Sequence, residues 1–251
     1  FIGLRSFVGF LVLSALANPL VLSELDPYLF IIIFVSAVSD MGIGTLFYTK
    51  SIEYLGGGHA TVISYTYIFV SQAIAFTFLG ESFTPSLVAG ATLALVGVAI
   101  ALLGADSSRR DAAGVVYAVV ASLGWGIGTA LIKPGVEALG DPTLVTNLRL
   151  LATAATFTPI GLVLEKQAMK REIVKNLVFA SITTGVISLV IGVLLFTYAV
   201  KQIGISASVI AQALTPILSQ ILTRVINKEE LKTKHIIGGI LVSTGIAVAS
   251  I

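Results

Sequence analysis

Charged residues make up 11% of this 251-residue chain and hydrophobic residues make up 56%. An average soluble domain has about 25% charged residues, so this composition does not suit a soluble surface. With a mean hydropathy of +1.01, the chain is predicted to be an integral membrane protein. A net charge of +2 does not favour a nucleic-acid partner, and the lack of cysteine excludes disulfides, thiolate nucleophiles and Cys-based metal sites.

Apolar stretches long enough to cross about 30 Å of hydrocarbon as helices recur along the whole chain. They are too long for strands, and open sheet edges are not stable in lipid, so we predict helices. Asp26, Thr84 and Asp141 each precede a proline, which is the expected pairing of an N-cap residue with a first helical residue. The predicted spans are residues 3–21, 27–55, 59–79, 86–104, 114–139, 142–164, 176–203, 206–226 and 234–251.

The second half of the chain repeats the first at a constant offset, which aligns residues 48–101 with residues 196–249 without gaps. Shared hydrophobicity does not explain the identities, because they include glycines, a Ser-Gln pair and a loop glutamate. The identical pairs include Gly56 with Gly204, Ser71 with Ser219, Gln72 with Gln220, Glu81 with Glu229, and Gly97 with Gly245.

This repeat predicts the domain organisation. We expect a first repeat over residues 1–104, a polar linker over residues 105–113 and a second repeat over residues 114–251. The helix that matches residues 114–139 would lie ahead of Phe1, so the complete protein would have ten helices in two units of five, and this chain nine. An odd number of helices per unit inverts the second copy in the membrane. The predicted fold class is therefore an all-α integral membrane protein with an inverted repeat.

Lysine and arginine concentrate in the loops on one side of the predicted bundle, within residues 105–113, 165–175 and 227–233. Positive loops favour the cytoplasm, which would turn both ends of the complete chain outward. The expected location is the inner membrane of a prokaryote, where the chain would pass through the lipid several times.

Asp40 is the most unusual residue of the predicted spans. It lies roughly 13 residues into a long helix, or ~20 Å along it, which is close to the middle of the membrane. Burying a charge there costs at least ~2.5 kcal/mol unless the side chain faces a cavity or a partner. Ser36 and Tyr48 share its helix face, so we predict a cavity wall where Asp40 binds a cation or a proton. The alternative is a structural, protonated Asp40 that hydrogen-bonds to a neighbouring helix.

Two arginines also fall inside predicted spans. Arg149 and Arg5 occupy comparable places, and each could pair with a substrate carboxylate or with Asp40. Snorkelling of the guanidinium to the nearer interface is the equally weighted alternative. Trp125 either stacks on a substrate or packs inside the bundle.

Polar residues form matching stripes in the two repeats. The first stripe contains Thr61, Ser64, Tyr65, Tyr67, Ser71 and Gln72, and the second contains Ser208, Gln212, Ser219 and Thr223. Pro216 removes the amide that would bond to the carbonyl of Gln212, which predicts a bend with an exposed acceptor. The candidate pathway residues are Asp40, Tyr48, Ser64, Tyr65, Gln72, Trp125, Arg149, Ser188, Gln212 and Pro216.

No catalytic residue, cofactor or metal site is predicted. His59 and His235 lack a second ligand at metal-binding spacing, and no nucleotide-binding or nucleophile motif occurs. The last predicted span of each repeat carries a face of glycine and alanine, which favours close helix packing as a scaffold or a homodimer contact.

Four segments resemble the EamA-type family of the drug/metabolite transporter superfamily. They are GESFTPSLVAGATLALVGVAIALLG at residues 80–104, KEELKTKHIIGGILVSTGIAVAS at 228–250, WGIGTALIK at 125–133 and LR at 148–149. The resemblance covers essentially the whole chain and implies a ten-helix transporter with a central cavity that commonly exports amino acids, other metabolites or drugs. It also implies cytoplasmic termini, against the charge count. The first repeat departs from the pattern, with Tyr67-Ile68 where the second has Thr215-Pro216.

The predicted function is secondary transport, in particular export, of a small metabolite such as an amino acid or a drug by alternating access, with possible coupling to protons at Asp40. A membrane-embedded enzyme is one alternative, but it would need clustered acids, bases or metal ligands. A lipid-handling protein is another, and it would show no saturable solute flux.

Overall fold

The computed structural model describes residues 1–17, 25–102, 111–164, 171–227 and 232–250. Helices account for nearly all of these residues, and no strand occurs among them, which confirms the predicted fold class. Within this part of the chain, four helical stretches are long and apolar enough to cross a membrane. They are Pro27–Phe78, Pro85–Leu102, Ala112–Leu139 and Val174–Ala211.

The helices of the first repeat follow the predicted spans closely. Asp26 caps the second helix as expected, because its carboxylate accepts a hydrogen bond of 2.7 Å from the amide of Leu29. The first helix ends at Ser14, before the predicted end at residue 21, and residues 18–24 lie outside the described part. In order, the elements are α1 (Ile2–Ser14), α2 (Pro27–Ala37), the π-helix π1 (Val38–Gly44), α3 (Thr45–Ser64), α4 (Tyr67–Phe78) and α5 (Pro85–Leu102).

The second repeat has the same series of elements, preceded by an additional helix pair. Asp141 lies at the start of its longest helix, where its carboxylate accepts a 2.8 Å hydrogen bond from the amide of Thr143. Most of the charged loops fall outside the described residues, namely 103–110, 165–170 and 228–231. In order, the elements are α6 (Ala112–Ala130), α7 (Ile132–Leu139), α8 (Pro142–Leu164), α9 (Arg171–Thr184), the π-helix π2 (Gly185–Val193), α10 (Leu194–Ala211), α11 (Leu214–Asn227) and α12 (Thr233–Ala249).

The sequence repeat is reproduced in the backbone at Gly56 and Gly204. These aligned glycines kink α3 and α10, with φ of 75° and 78°. Side chains strongly disfavour this region, so glycine is required at both positions. The kinks coincide with the predicted boundaries between spans. The two π-helices also fall at corresponding places in the repeats.

A second pair of breaks corrects the prediction for Pro216. The helical path is interrupted at residues 65–66 and again at residues 212–213, although only the second repeat has a proline nearby. Pro216 lies in the first turn of α11, after the break, and the carbonyl of Gln212 accepts a 2.9 Å hydrogen bond from the amide of Thr215. The expected exposed acceptor is therefore not formed, because a tight turn supplies the donor that the proline lacks.

The described residues pack as two compact bundles, and each bundle combines segments of both repeats. Bundle 1 comprises Phe1–Thr45 and Ile127–Ile203, and bundle 2 comprises Leu46–Gly126 and Gly204–Ile251. The chain therefore passes from one bundle to the other inside helices, and one of these passages coincides with the kink at Gly204.

Close packing of α1 against α8 organises bundle 1. A Cβ atom added at Gly3 would lie within 3 Å of the backbone of Thr158, so these helices approach at a distance that only glycine allows. An apolar core lies beside this contact and is made by side chains from α1, π1, α8 and π2. Its buried members are Leu13, Met41, Leu150, Leu189 and Val190.

Bundle 2 contains an equivalent contact between α5 and α12, the last helices of the two repeats. A Cβ atom at Gly97 would lie 2.6 Å from the carbonyl oxygen of Gly238, and one at Gly90 would lie 2.5 Å from that of Gly245. The predicted glycine faces therefore pack against each other as a scaffold. Homodimerisation stays a prediction.

Gly97→Ala should destabilise this contact, because the new methyl group meets a backbone carbonyl that cannot rotate away. Overpacking of this kind costs about 1–3 kcal/mol. Gly161→Ala is the matched control, since a Cβ atom there has no neighbour within 4 Å. Thermal unfolding in detergent should show a lower midpoint for the first variant only, and equal midpoints would contradict the packing.

Gly56→Ala should also lower stability, but through backbone strain, by about 1–3 kcal/mol. Gly57→Ala provides a control one residue away, where a Cβ atom meets nothing within 4 Å and φ is not positive. The same unfolding measurement separates the two variants. Equal unfolding midpoints for Gly56→Ala and Gly57→Ala would refute the positive φ assigned to Gly56.

Candidate functional site

An ion pair lies inside bundle 1 between π1 and α8. Nη2 of Arg149 donates a hydrogen bond to Oδ2 of Asp40, and the two groups form a salt bridge. The Arg149 side chain is fully buried, whereas that of Asp40 is 22% exposed. Arg149 therefore does not snorkel to an interface. It pairs with Asp40, which was one of the two partners predicted for it, the other being a substrate carboxylate.

Asp40 packs against α6 through contacts that involve Gly128 and Ser36. A Cβ atom at Gly128 would lie 2.5 Å from Cβ of Asp40, so the helices touch through this glycine. Ser36, one turn before Asp40, donates a 2.5 Å hydrogen bond to the carbonyl of Gly128. On the other side of the ion pair, Thr153 donates to the carbonyl of Arg149 at 2.9 Å. The backbones that carry both charged groups are thus fixed by short contacts.

Asp40 belongs to a π-helix, which is a wider turn than an α-helix and recurs at functional sites. The hydroxyl of Thr45 donates a 3.4 Å hydrogen bond to the carbonyl of Asp40, across the end of π1. The sequence did not predict this element, because hydropathy does not distinguish a π-helix from an α-helix.

Arg5, on α1 of the same bundle, is a second arginine inside a predicted span. We call Asp40, Arg149 and Arg5 the ion-pair cluster, although among the described residues only Arg149 forms a salt bridge with Asp40. Cζ of Arg5 lies 5.6 Å from the ring centre of Phe1. Its Nε atom is buried and has no hydrogen-bond partner among the described residues, and the same holds for Nε and Nη1 of Arg149. The cluster therefore has more donors than the described protein groups satisfy.

A separate group of aromatic rings occurs in bundle 2. Trp125 lies at its centre, with ring-centre distances of 4.8 Å to Tyr48, 6.3 Å to Tyr65 and 5.8 Å to Tyr67. Most of these contacts are edge-to-face, the arrangement that aromatic quadrupoles favour. We call these four residues the aromatic cluster. Three of the four were predicted pathway residues.

One glutamine, Gln212, contacts the aromatic cluster, and another, Gln72, lies on the same helix as Tyr67. The hydroxyl of Tyr67 donates a 2.5 Å hydrogen bond to Oε1 of Gln212, and Nε2 of Gln72 donates at 3.4 Å to the carbonyl of Ser206. Oε1 of Gln72 is buried without a hydrogen-bond partner among the described residues. Tyr67 was the residue that the prediction of pathway residues missed, although it belongs to the polar stripe that also contains Tyr65.

The remaining predicted pathway residues do not join either cluster. Ser64 is fully buried and donates a 3.3 Å hydrogen bond to the carbonyl of Ala118, which links two helices. Ser188 is exposed on π2. Pro216 is buried in the first turn of α11.

Glu81, which the sequence marked only as a repeated loop glutamate, has a structural role in bundle 2. Its carboxylate accepts hydrogen bonds from the amide of Ile205 at 2.7 Å, from the amide of Ser206 at 3.0 Å and from the hydroxyl of Ser206 at 2.6 Å. It therefore caps the helical segment that begins after the kink at Gly204. The signal in the sequence was the repeat itself, which conserves this loop glutamate as Glu229.

A family model described as the EamA-like transporter family matches residues 1–103 and 112–251. One solved crystal structure, titled only as that of a protein, is similar over 99% of this chain and 85% of its own chain, with a TM-score of 0.75. The sequences are 19% identical, so this likeness concerns the fold alone. No curated protein sequence matches the chain.

The ion pair should show strong coupling in a double-mutant cycle. Asp40→Asn and Arg149→Met alone each leave a charge without its partner, which costs about 3–5 kcal/mol for a buried pair. The double variant removes both charges and should be more stable than the sum of the two single losses predicts. Unfolding midpoints in detergent measure this. Additive losses would mean that the two side chains do not interact.

Proposed function

The chain belongs to the EamA-like transporter family, and we propose that it is a secondary transporter of a small polar or amphipathic metabolite. In this proposal it works by alternating access in the inner membrane of a prokaryote and exports its solute. Membership in a family of transporters favours this function over the enzyme alternative. The apolar helices of the chain support the membrane location.

The observation that carries the proposal is the ion pair of Asp40 and Arg149. The Arg149 side chain is fully buried, whereas the Asp40 carboxylate is partly exposed. Asp40 is therefore the member of the pair that can exchange a proton. Protonation of Asp40 would leave Arg149 without its counter-charge at a cost of about 3–5 kcal/mol. Shifting a two-state equilibrium from 1:99 to 99:1 takes ~5.5 kcal/mol, so this pair has a suitable magnitude for a conformational switch.

Irregular features of the backbone support a moving structure. Asp40 lies in π1, and the kinks at Gly56 and Gly204 interrupt the helices that follow each π-helix. Short helices joined at such kinks can change their relative angle while each keeps its own hydrogen bonds. We therefore assign the conformational change to rotations at these two glycines, coupled to the charge state of Asp40.

The aromatic cluster supports contact with the apolar part of a solute. Trp125 and three tyrosines offer ring faces and edges, and Gln72 keeps a buried carbonyl oxygen without a hydrogen-bond partner among the described residues. Rings with a few fixed polar groups are typical of small-molecule sites. In the proposal Tyr65, Gln72 and Gln212 contact the solute as it passes.

Asp40→Asn should abolish proton coupling. The measurement is flux from proteoliposomes loaded with a metabolite mixture, with and without a pH gradient, followed by mass spectrometry. Asp26→Asn is the matched control, because asparagine caps a helix as well as aspartate does. We expect gradient-driven flux in the wild type and in the control, and flux without a response to the gradient in Asp40→Asn.

Other outcomes would decide between the alternatives. Selective flux that ignores the gradient in all three proteins would make the protein a facilitator and Asp40 a structural residue. An absence of selective flux from folded protein would contradict transport and return the enzyme and lipid-handling functions to consideration.

A further inference from the structure

We propose that Glu81 is a positioning residue for solute binding. Its carboxylate holds the start of residues 205–211, here called the post-kink segment, so that Gln212 just after that segment meets Tyr67 in the aromatic cluster. This inference rests on the proposed function, in which Gln212 contacts the solute. It names a residue outside the aromatic cluster that sets the geometry of that contact.

The carboxylate of Glu81 fixes the start of the post-kink segment with both of its oxygens. Oε1 accepts from the amide of Ile205 at 2.7 Å, and Oε2 accepts from the amide and the hydroxyl of Ser206 at 3.0 and 2.6 Å. Hydrogen bonds to a charged group are roughly twice as strong as neutral ones. A Cβ atom at Gly204 would lie 2.7 Å from Oε1, so the carboxylate lies directly against the kink. The segment cannot shift along the bundle without breaking these bonds.

Glu81 is itself fixed to α4. Its amide donates a 3.1 Å hydrogen bond to the carbonyl of Ala75 in the last turn of α4, and the chain turns between them at Gly80, which has a φ of 67°. Tyr67 is the first residue of the same helix, and its hydroxyl donates to Oε1 of Gln212. The post-kink segment is therefore held to α4 at two points, at its start by Glu81 and just after its end by Tyr67.

The post-kink segment can transmit a displacement from one of these points to the other. It spans about 10 Å at 1.5 Å per residue. The hydroxyl of Ser208 donates to the carbonyl of Gly204 at 2.6 Å, and the amide of Gln212 donates to the carbonyl of Ser208 at 3.3 Å. A densely packed segment passes strain on to its neighbours, so loss of the Glu81 bonds should displace Gln212. The fully buried members of the segment are Ile205, Ser208, Val209 and Ile210.

Trp125 distinguishes this role from that of a simple helix cap. Loss of a cap lowers the stability of the helix and leaves distant side chains where they are, whereas loss of a positioning residue also changes the surroundings of the aromatic cluster. Trp125 is the one tryptophan of the chain, and its ring centre lies 5.8 Å from that of Tyr67. Its fluorescence therefore reports on the contact between Gln212 and Tyr67 without any need for transport.

The test measures acrylamide quenching of Trp125 fluorescence in the purified protein, well below its unfolding temperature. The variants are Glu81→Gln, Ser206→Ala, Gln212→Met and the double variant Glu81→Gln/Gln212→Met. Glu53→Gln is the control, because it removes an exposed carboxylate from the same bundle. Gel filtration establishes that each variant is folded. Flux from proteoliposomes loaded with the metabolite mixture at a series of dilutions then gives the half-saturating concentration and the maximal flux.

We expect Glu81→Gln to change the quenching of Trp125 in the same direction as Gln212→Met, with a smaller change in Ser206→Ala and none in Glu53→Gln. The two single changes should not add in the double variant, because they act through one contact. In Glu81→Gln the half-saturating concentration should rise about fivefold, which corresponds to the loss of one neutral hydrogen bond, and the maximal flux should change less.

Three results would overturn the inference and leave Glu81 as a local cap. They are unchanged quenching in Glu81→Gln, additive changes in the double variant, and an unchanged half-saturating concentration beside normal flux of the wild type. Should Glu81→Gln fail to fold, Ser206→Ala decides on the same criteria. If the wild type releases no compound selectively, the proposed function fails and solute binding with it, whereas the quenching comparison still decides whether Glu81 sets the position of Gln212.

Discussion

The buried ion pair of Asp40 and Arg149 is the constraint around which bundle 1 is arranged. A guanidinium group with no exposed surface needs a fixed negative partner, and Asp40 can supply it only because π1 lies against α6 at Gly128 and against α8. The ion pair therefore fixes the positions of these helices in addition to the apolar packing of the bundle. The partial exposure of Asp40 leaves the pair open to protonation, which is why the proposed function begins there.

The internal repeat gives the rest of the molecule its regularity. Each repeat has a π-helix, a positive-φ glycine and a short turn in corresponding places, at Gly56 and Gly204 for the glycines. These features interrupt helices that hydropathy would allow to run on. Because they occur twice, they are properties of the repeated unit and cannot be local accidents of one helix.

The division into bundles separates two kinds of chemistry. Bundle 1 contains the charged groups of the ion-pair cluster, and bundle 2 contains the aromatic cluster and the capping carboxylate of Glu81. Glycine contacts stiffen each bundle, through Gly3 in α1 and through Gly97 in α5. Close backbone packing suits helices in lipid, where the hydrophobic effect supplies little force between them.

The sequence by itself determined the fold class, the spans and the repeat, because these depend on hydropathy and periodicity along the chain. It also singled out Asp40 and Arg149, since charged residues are rare in apolar spans, and Trp125, which is the one tryptophan of the chain. Only the tertiary structure decided which of them meet, because the partners lie far apart in sequence and packing brings them together. It likewise placed Tyr67 in the aromatic cluster and gave Glu81 a capping role, contacts that no local pattern encodes. The tertiary structure also gave the carbonyl of Gln212 a hydrogen bond from the amide of Thr215, which replaces the donor that Pro216 lacks.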